Sequence, residues 1–312
     1  MVLGIYNTKM KVIYFLFSRF ILFSSLVTIL LYSNYQVAYA INDTKIIHVI
    51  AAENMYGDIA QQLGGKYVQV DSILKNPDQD PHLFELTPSI GKNIAEAEVI
   101  IVNGLGYDSW MNRLLTKYHF NHQDILSVQS LLGRKDGDNP HLWYDFEAIE
   151  ILSQRLQQVY AQLDPQEKLF FQKQFTLLDT DLKKIQQRIQ TLRQQYPHTK
   201  VAATEPVFGL MAQRLGFEML EEPYQWVVMN GGEPTPKQIA QFVQDLKTHQ
   251  IQILFYNEQV STPATQQLKK IALESGVAVV GVSETMPAHL SYQQWMNQVL
   301  DRVETALKSQ HQ

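Results

Sequence analysis

An α/β protein of two lobes is what this sequence predicts, each lobe a parallel-rich sheet flanked by helices, the pair joined by one long linking helix. Three observations carry that prediction. Short apolar runs alternate with amphipathic stretches from Lys45 onward, and the same alternation resumes at Lys200. Between them, apolar residues recur at steps of three and four from Ile149 to Leu163 and again from Phe171 to Leu192, before Pro197. Strands separated by helices of this length belong to parallel sheets covered on both faces.

In order, Ile46–Ala51 reads as a buried strand and Met55–Leu63 as a helix stopped by Gly64-Gly65. Tyr67–Leu74 is a second strand, running into a polar loop that ends at His82. Thr87-Pro88 opens a helix, with Thr as the cap and Pro where a missing N–H costs nothing. Val99–Val102 is a third strand, followed by Asn103-Gly104-Leu105-Gly106 and a helix over Trp110–Leu115. Asp124–Val128 is a weaker fourth strand. Ile149, Leu152, Leu156, Val159 and Leu163 then mark one helix face. Asp164-Pro165-Gln166-Glu167 supplies a cap, and Phe171, Phe175, Leu178, Leu182, Ile185, Ile189 and Leu192 continue the seam. At ~1.5 Å per residue, some 30 residues make a rod about 45 Å long. A coiled-coil dimer or a helical adhesin would use the same seam; the α/β patterns on both sides favour a spine within one chain.

The second unit repeats the plan. Val201–Ala203 is a strand ending at Thr204-Glu205-Pro206, Val207–Leu215 a helix, and Glu221–Pro234 a loop. Thr235-Pro236 opens a helix running to about His249, and Ile251–Tyr256 is a strand ending in Asn257-Glu258. Thr262-Pro263 opens another helix, Val277–Val282 is the last strand, and Ser291 caps the closing helix. The expected divisions are 1–40, 41–163 for the N-terminal lobe, 164–197 for the linking helix and 198–312 for the C-terminal lobe.

Residues 1–40 are expected to be a cleaved secretory signal. Lys9, Lys11 and Arg19 precede an apolar run from Phe20 to about Tyr32, and Ala38-Tyr39-Ala40 offers small residues at a cleavage site. The run is shorter than the roughly 20 residues that span a bilayer. The whole chain carries a formal charge of −5, and losing those three basic residues makes the remainder more acidic, which argues against a nucleic-acid partner. With no cysteine among the 312 residues, neither a disulfide, a thiolate ligand nor a lipid-bearing N-terminal cysteine is available. A soluble periplasmic protein is the expectation.

One short motif occurs twice, as Asp80-Pro81-His82 and Asn139-Pro140-His141. Proline fixes φ and biases the preceding residue to extended geometry, so each histidine is presented from a stiff turn. Ligands of open α/β sheets bind beyond the carboxyl ends of the strands. There the first unit offers His82 and His141, and the second Glu205 and Glu284. If both units face one crevice, two imidazoles and two carboxylates meet, and the carboxylates neutralise a divalent cation. Each residue alone has an ordinary structural explanation, a turn histidine or a strand-end carboxylate. Of the other histidines, His48 is expected in the core, and His119 with His122 could form an auxiliary site, although solvated loop residues are the commoner case. His289 is expected at the surface. Phe84, Trp143, Tyr144 and Trp226 are placed to wall the site.

Several features together resemble the zinc- and manganese-binding solute-binding proteins of metal-uptake ABC transporters. They are Asp80-Pro81-His82 with Phe84-Glu85, Asn103-Gly104-Leu105-Gly106 before a Trp-bearing helix, Asn139-Pro140-His141-Leu142-Trp143, and the long helix after Asp164-Pro165. The resemblance spans nearly the whole mature chain. It implies a metal held between the lobes by His82, His141, Glu205 and Glu284, an inner-membrane ABC permease as partner, and modest lobe movement. Glu205 falls where members carry His or Glu, and Glu284 where they carry Asp or Glu, with Glu258 the alternative there. Departures are a loop before His141 poor in histidine, and Asn139 where Asp is commoner. Imidazole suits zinc and carboxylate suits manganese; Mn2+ is given a slight edge over Zn2+, with Fe2+ third. A monomer that transports rather than catalyses is expected. The competing reading is a secreted metal-dependent hydrolase, for which no His-Glu-x-x-His or nucleophile motif is present.

Overall fold

Two four-stranded parallel sheets are built to the same strand order in the computed structural model, which describes residues 45–75, 88–118 and 124–310, with Phe20, Ser24, Ser25 and Thr28 besides. Asp80-Pro81-His82, Phe84, Glu85, Thr87, His119, His122 and nearly all of the expected signal segment lie outside the described residues. Met1–Lys45 is a unit separate from Ile46–Gln312.

The first sheet comprises β1 (Ile47–Glu53), β2 (Val68–Leu74), β3 (Val99–Val102) and β4 (Ile125–Ser127) in the order β2-β1-β3-β4. The second comprises β5 (Lys200–Ala203), β6 (Glu218–Leu220), β7 (Ile253–Asn257) and β8 (Ala278–Val282) in the order β6-β5-β7-β8. All pairings are parallel. Helices α1 (Asn54–Gly64), α2 (Pro88–Glu96), α3 (Ser109–Tyr118) and α4 (Val128–Leu132) belong to the first lobe. Helix α5 (Phe146–Leu163) precedes the long α6 (Lys168–Gln195). The second lobe adds α7 (Gly209–Arg214), α8 (Glu222–Met229), α9 (Pro236–Lys247), α10 (Pro263–Glu274) and α11 (Tyr292–Gln310).

Period-two alternation sorts the second sheet between two cores. Val201, Ala203, Ile253, Phe255, Val280 and Val282 face a large core that also holds the first sheet and the spine. Ala202 and Leu254 face a smaller one beneath α9 and α10, with Phe242, Leu246 and Leu268. The spine seam, Phe171 through Leu192, is consumed in the large core, which removes the need for a partner helix. Arg188 ties the spine to α11 through Asp301 at 2.7 Å and Glu304 at 2.9 Å. A core continuous across both lobes resists hinge opening, because separation would expose apolar surface at about 25 cal/mol per Å².

The caps follow the sequence. Thr235 with Gln238 and Thr262 with Thr265 form capping boxes, each with Pro at the first helical position. Asp164 accepts from the Gln166 N–H at 3.2 Å, and a 3-10 turn over Pro165–Glu167 leads into α6.

Three elements escape the sequence reading. Glu218–Leu220 is a three-residue edge strand, too short for its period to register. The stretch expected as a loop from Glu221 to Pro234 contains α8, whose N-cap is Glu221 in left-handed geometry at φ 58°, without a Ser, Thr, Asp or Asn to announce it. Helix α4 has only five residues, capped by Ser127 and ended by Gly133 at φ 64°. His48 is a correction: it faces outward from the start of β1 and is exposed, not core.

Candidate metal centre

His141 is 1% exposed, Glu205 3% and Glu284 fully buried, which puts three of the four candidate ligands in the protein interior. Glu205 lies two residues beyond β5 and Glu284 two beyond β8, so both project from the same edge of the second sheet. His141 enters from the loop before α5 and belongs to the first lobe. Its Nε2 stands 4.0 Å from Glu284 Oε2. Asn257, the last residue of β7, sits between the carboxylates: its Nδ2 donates to Glu284 Oε1 at 2.7 Å and also to Glu205 Oε2. Tyr107 donates its hydroxyl to Glu284 Oε2 at 3.0 Å. Burial, with the Glu284 charge beside it, pushes the Tyr107 phenol up, so it stays a donor.

The His141 ring is oriented from behind. Asn139 Oδ1 lies 2.7 Å from Nδ1 and also accepts the His141 backbone N–H at 3.0 Å. Trp143 packs edge-on to the imidazole with centroids 5.3 Å apart, and Tyr107 packs against Trp143 at 4.9 Å. Tyr144 is buried and donates to the Ser283 carbonyl at 3.0 Å, beside Glu284. Trp226 lines a cleft of about 420 Å³ with Asn139 and Pro206.

Bonds between the lobes hold this arrangement. Asn54 exchanges two hydrogen bonds with the Met286 backbone, at 2.7 and 3.0 Å. Asn139 Nδ2 donates to the Pro206 carbonyl at 2.7 Å. Asp145, which caps α5, takes Arg134 from its own lobe and Arg214 from the other, each at 2.8 Å.

Among the described residues, no three His, Asp or Glu side chains converge closely enough to hold an ion as they stand. His141 and Glu284 face each other, while Glu205 joins them through Asn257. Glu258, the alternative to Glu284, is exposed and lies over Gly281. Alternation separates the two: Glu258 is one residue past its strand, whereas Glu205 and Glu284 are each two past theirs. His289 is exposed, at φ 66°.

Sequence reasoning missed Tyr107, Asn257 and Glu53. Parity puts Asn257 on the opposite face from Glu258, but β7 is apolar on both faces, so the sequence does not say which face turns to the site. Glu53 gave no signal: it ends β1, is fully buried, and neither carboxylate oxygen finds a hydrogen-bond partner in another of the described residues. Desolvation, then the Asp108 charge, drives its pKa well up, against a smaller pull from its own backbone N–H. An acid raised in the folded state contributes stability below its unfolded pKa of about 4.3 and loses it as pH climbs toward the folded value. Glu53→Met is therefore expected to stabilise the protein by about 1–3 kcal/mol near neutral pH and by less at pH 4–5. Urea denaturation at both pH values checks this; an equal effect at each would contradict the protonation argument.

The fold and this buried edge-to-edge set define a class: two like α/β lobes on a helical spine, with acidic and imidazole side chains between them. The family model for the periplasmic zinc-uptake complex component A, ZnuA, matches residues 49–306, and the chain belongs to that family. The metal ABC transporter substrate-binding lipoprotein SloC of Streptococcus mutans is 23% identical over 84% of this chain and 90% of its own length. The manganese ABC transporter substrate-binding lipoprotein PsaA of Streptococcus pneumoniae is 24% identical over 84% and 89%. Among solved structures, the periplasmic zinc-binding protein TroA of Treponema pallidum superposes with a TM-score of 0.70 at 16% identity, covering 85% of this chain and 99% of that one. A crystal structure of ZnuA gives 0.67 at 17% identity, over 85% and 99%. These likenesses bear out the expected fold and family; none is to a hydrolase.

Proposed function

We propose that this protein captures a divalent transition metal, Mn2+ or Zn2+, outside the inner membrane and delivers it to an ABC permease. The observation that carries the reading is the buried opposition of His141 Nε2 and Glu284 Oε2 across the lobes, with Glu205 held to the same place by Asn257. His82 is the fourth member of the proposed ligand set. Two carboxylates offset a 2+ charge, and four protein ligands leave no open position for an activated water, which suits carriage over catalysis. Mn2+ is preferred because two carboxylates supply hard oxygen donors; Zn2+ binds most N/O sites more tightly, so selectivity rests on geometry.

Secretion by cleavage after Ala40, a periplasmic location and a monomeric state complete the proposal. Among the described residues no helix is long and apolar enough to cross a membrane. SloC and PsaA are named as lipoproteins, whereas this sequence contains no cysteine to carry a lipid.

Chelator-stripped protein titrated with Mn2+ and then Zn2+ tests the reading. About one equivalent is expected to bind, and metal at 100 times its Kd should add about 2.7 kcal/mol to unfolding stability. No thermal shift with either ion would refute it.

A further inference from the structure

Asn139 makes contacts that assign both ends of its amide. Oδ1 accepts the His141 backbone N–H at 3.0 Å, so the oxygen, not the nitrogen, faces His141. Nδ2 points the other way and donates to the Pro206 carbonyl at 2.7 Å. A carbonyl accepts only, which excludes the flipped amide. With Oδ1 thus placed 2.7 Å from His141 Nδ1, that ring nitrogen must carry the proton. In the neutral ring the lone pair then belongs to Nε2, the nitrogen on the Glu284 side. The same amide spans the lobes: Oδ1 serves the His141 loop and Nδ2 the turn directly after Glu205. The fit is close, because a Cβ on Gly209 would meet Asn139 Nδ2 at 2.9 Å and nothing else within 4 Å among the described residues.

We propose that Asn139 is a positioning residue with two separable functions: it fixes His141 as the Nδ1–H tautomer, and it ties the His141 loop to the Glu205 turn so that metal escape must break a bond between the lobes. Aspartate can perform the first function but not the second. Its carboxylate accepts from Nδ1–H, yet it has no hydrogen to give Pro206 and would set a negative oxygen against that carbonyl. A neutral amide also makes the imidazole a weaker donor than a carboxylate partner would. The second function rests on the metal-binding reading; the first does not.

Ring-nitrogen NMR on isotopically labelled histidine, with Mn2+ release into excess chelator by stopped flow, tests both parts. Wild type and N139D are expected to show His141 protonated at Nδ1 without metal, and N139L to lose that signature and bind Mn2+ about 10- to 100-fold more weakly. G209A sets a methyl group against the amide nitrogen and so strains the Pro206 bond first; with the His141 tautomer confirmed by the same NMR, it should release Mn2+ about fivefold faster. Its helical φ and open surroundings let it fold. A wild-type ring protonated at Nε2, or an N139L ring unchanged, overturns the first part. A G209A release rate equal to wild type overturns the second. Should wild type bind neither Mn2+ nor Zn2+, the functional reading fails while the tautomer result still stands or falls by itself.

Discussion

Glu284→Ala is expected to weaken Mn2+ binding by about a hundredfold or more, with the metal-free fold retained. The side chain is fully buried and engages a group from each lobe, Tyr107 at 3.0 Å and Asn257 at 2.7 Å. A metal arriving between His141 and Glu284 would find one of two charge-balancing carboxylates missing. Removing one partner of a buried charge pair costs about 3–5 kcal/mol, and 1.4 kcal/mol is tenfold in affinity. Opposing effects limit the cost to the metal-free protein. The Tyr107 and Asn257 donors lose an acceptor, at about 1–3 kcal/mol for an unsatisfied group, while Glu205 loses a like-charged neighbour. Calorimetric titration of the variant, beside an exposed control such as Glu258→Ala, is the measurement. Wild-type affinity in the Glu284 variant would remove it from the site, and a loss confined to the Glu258 variant would transfer the role.

Asp145→Ala is expected to be the most destabilising of the surface-proximal substitutions, by about 3 kcal/mol. Its carboxylate is 3% exposed and serves three groups: the Glu147 N–H at 3.2 Å as the cap of α5, and Arg134 and Arg214 at 2.8 Å each. Loss of a cap costs about 1 kcal/mol, and hydrogen bonds to charged groups contribute about 1.5–3 kcal/mol before screening. Both arginines are partly exposed, at 34% and 45%, so solvent recovers part of each and the total is discounted accordingly. Asp145→Asn retains cap acceptors and should restore about 1 kcal/mol. Denaturant unfolding distinguishes these values. A midpoint unchanged in Asp145→Ala would mean that Asp145 adds nothing to the shared core and the other bonds between the lobes. Because Asp145 lies four residues after His141, the same variant should also weaken metal binding.

Much of this architecture was legible along the chain. Thr-Pro at helix starts, Gly at helix ends and the unbroken seam of α6 are local signals, and the strands read as continuous apolar runs because both faces of each sheet are covered. Short edge elements were not legible: Glu218–Leu220 and Val128–Leu132 span too few residues for a period. His48 misled because a strand position alone does not say which end of the sheet is open to water.

By itself the sequence determined the two α/β units, the spine between them, and a candidate set, His82, His141, Glu205 and Glu284, placed by the rule that sheets bind at their carboxyl edges. Only the tertiary structure decided which carboxylate turns inward, Glu284 and not Glu258, because that depends on side-chain parity at the end of β7 and β8. It alone revealed Asn257 between the two carboxylates, Asn139 across the lobes, and the burial of Glu53 beside Asp108. These are contacts between residues remote in sequence, set by how two sheets are clamped on one core, and no local pattern encodes them.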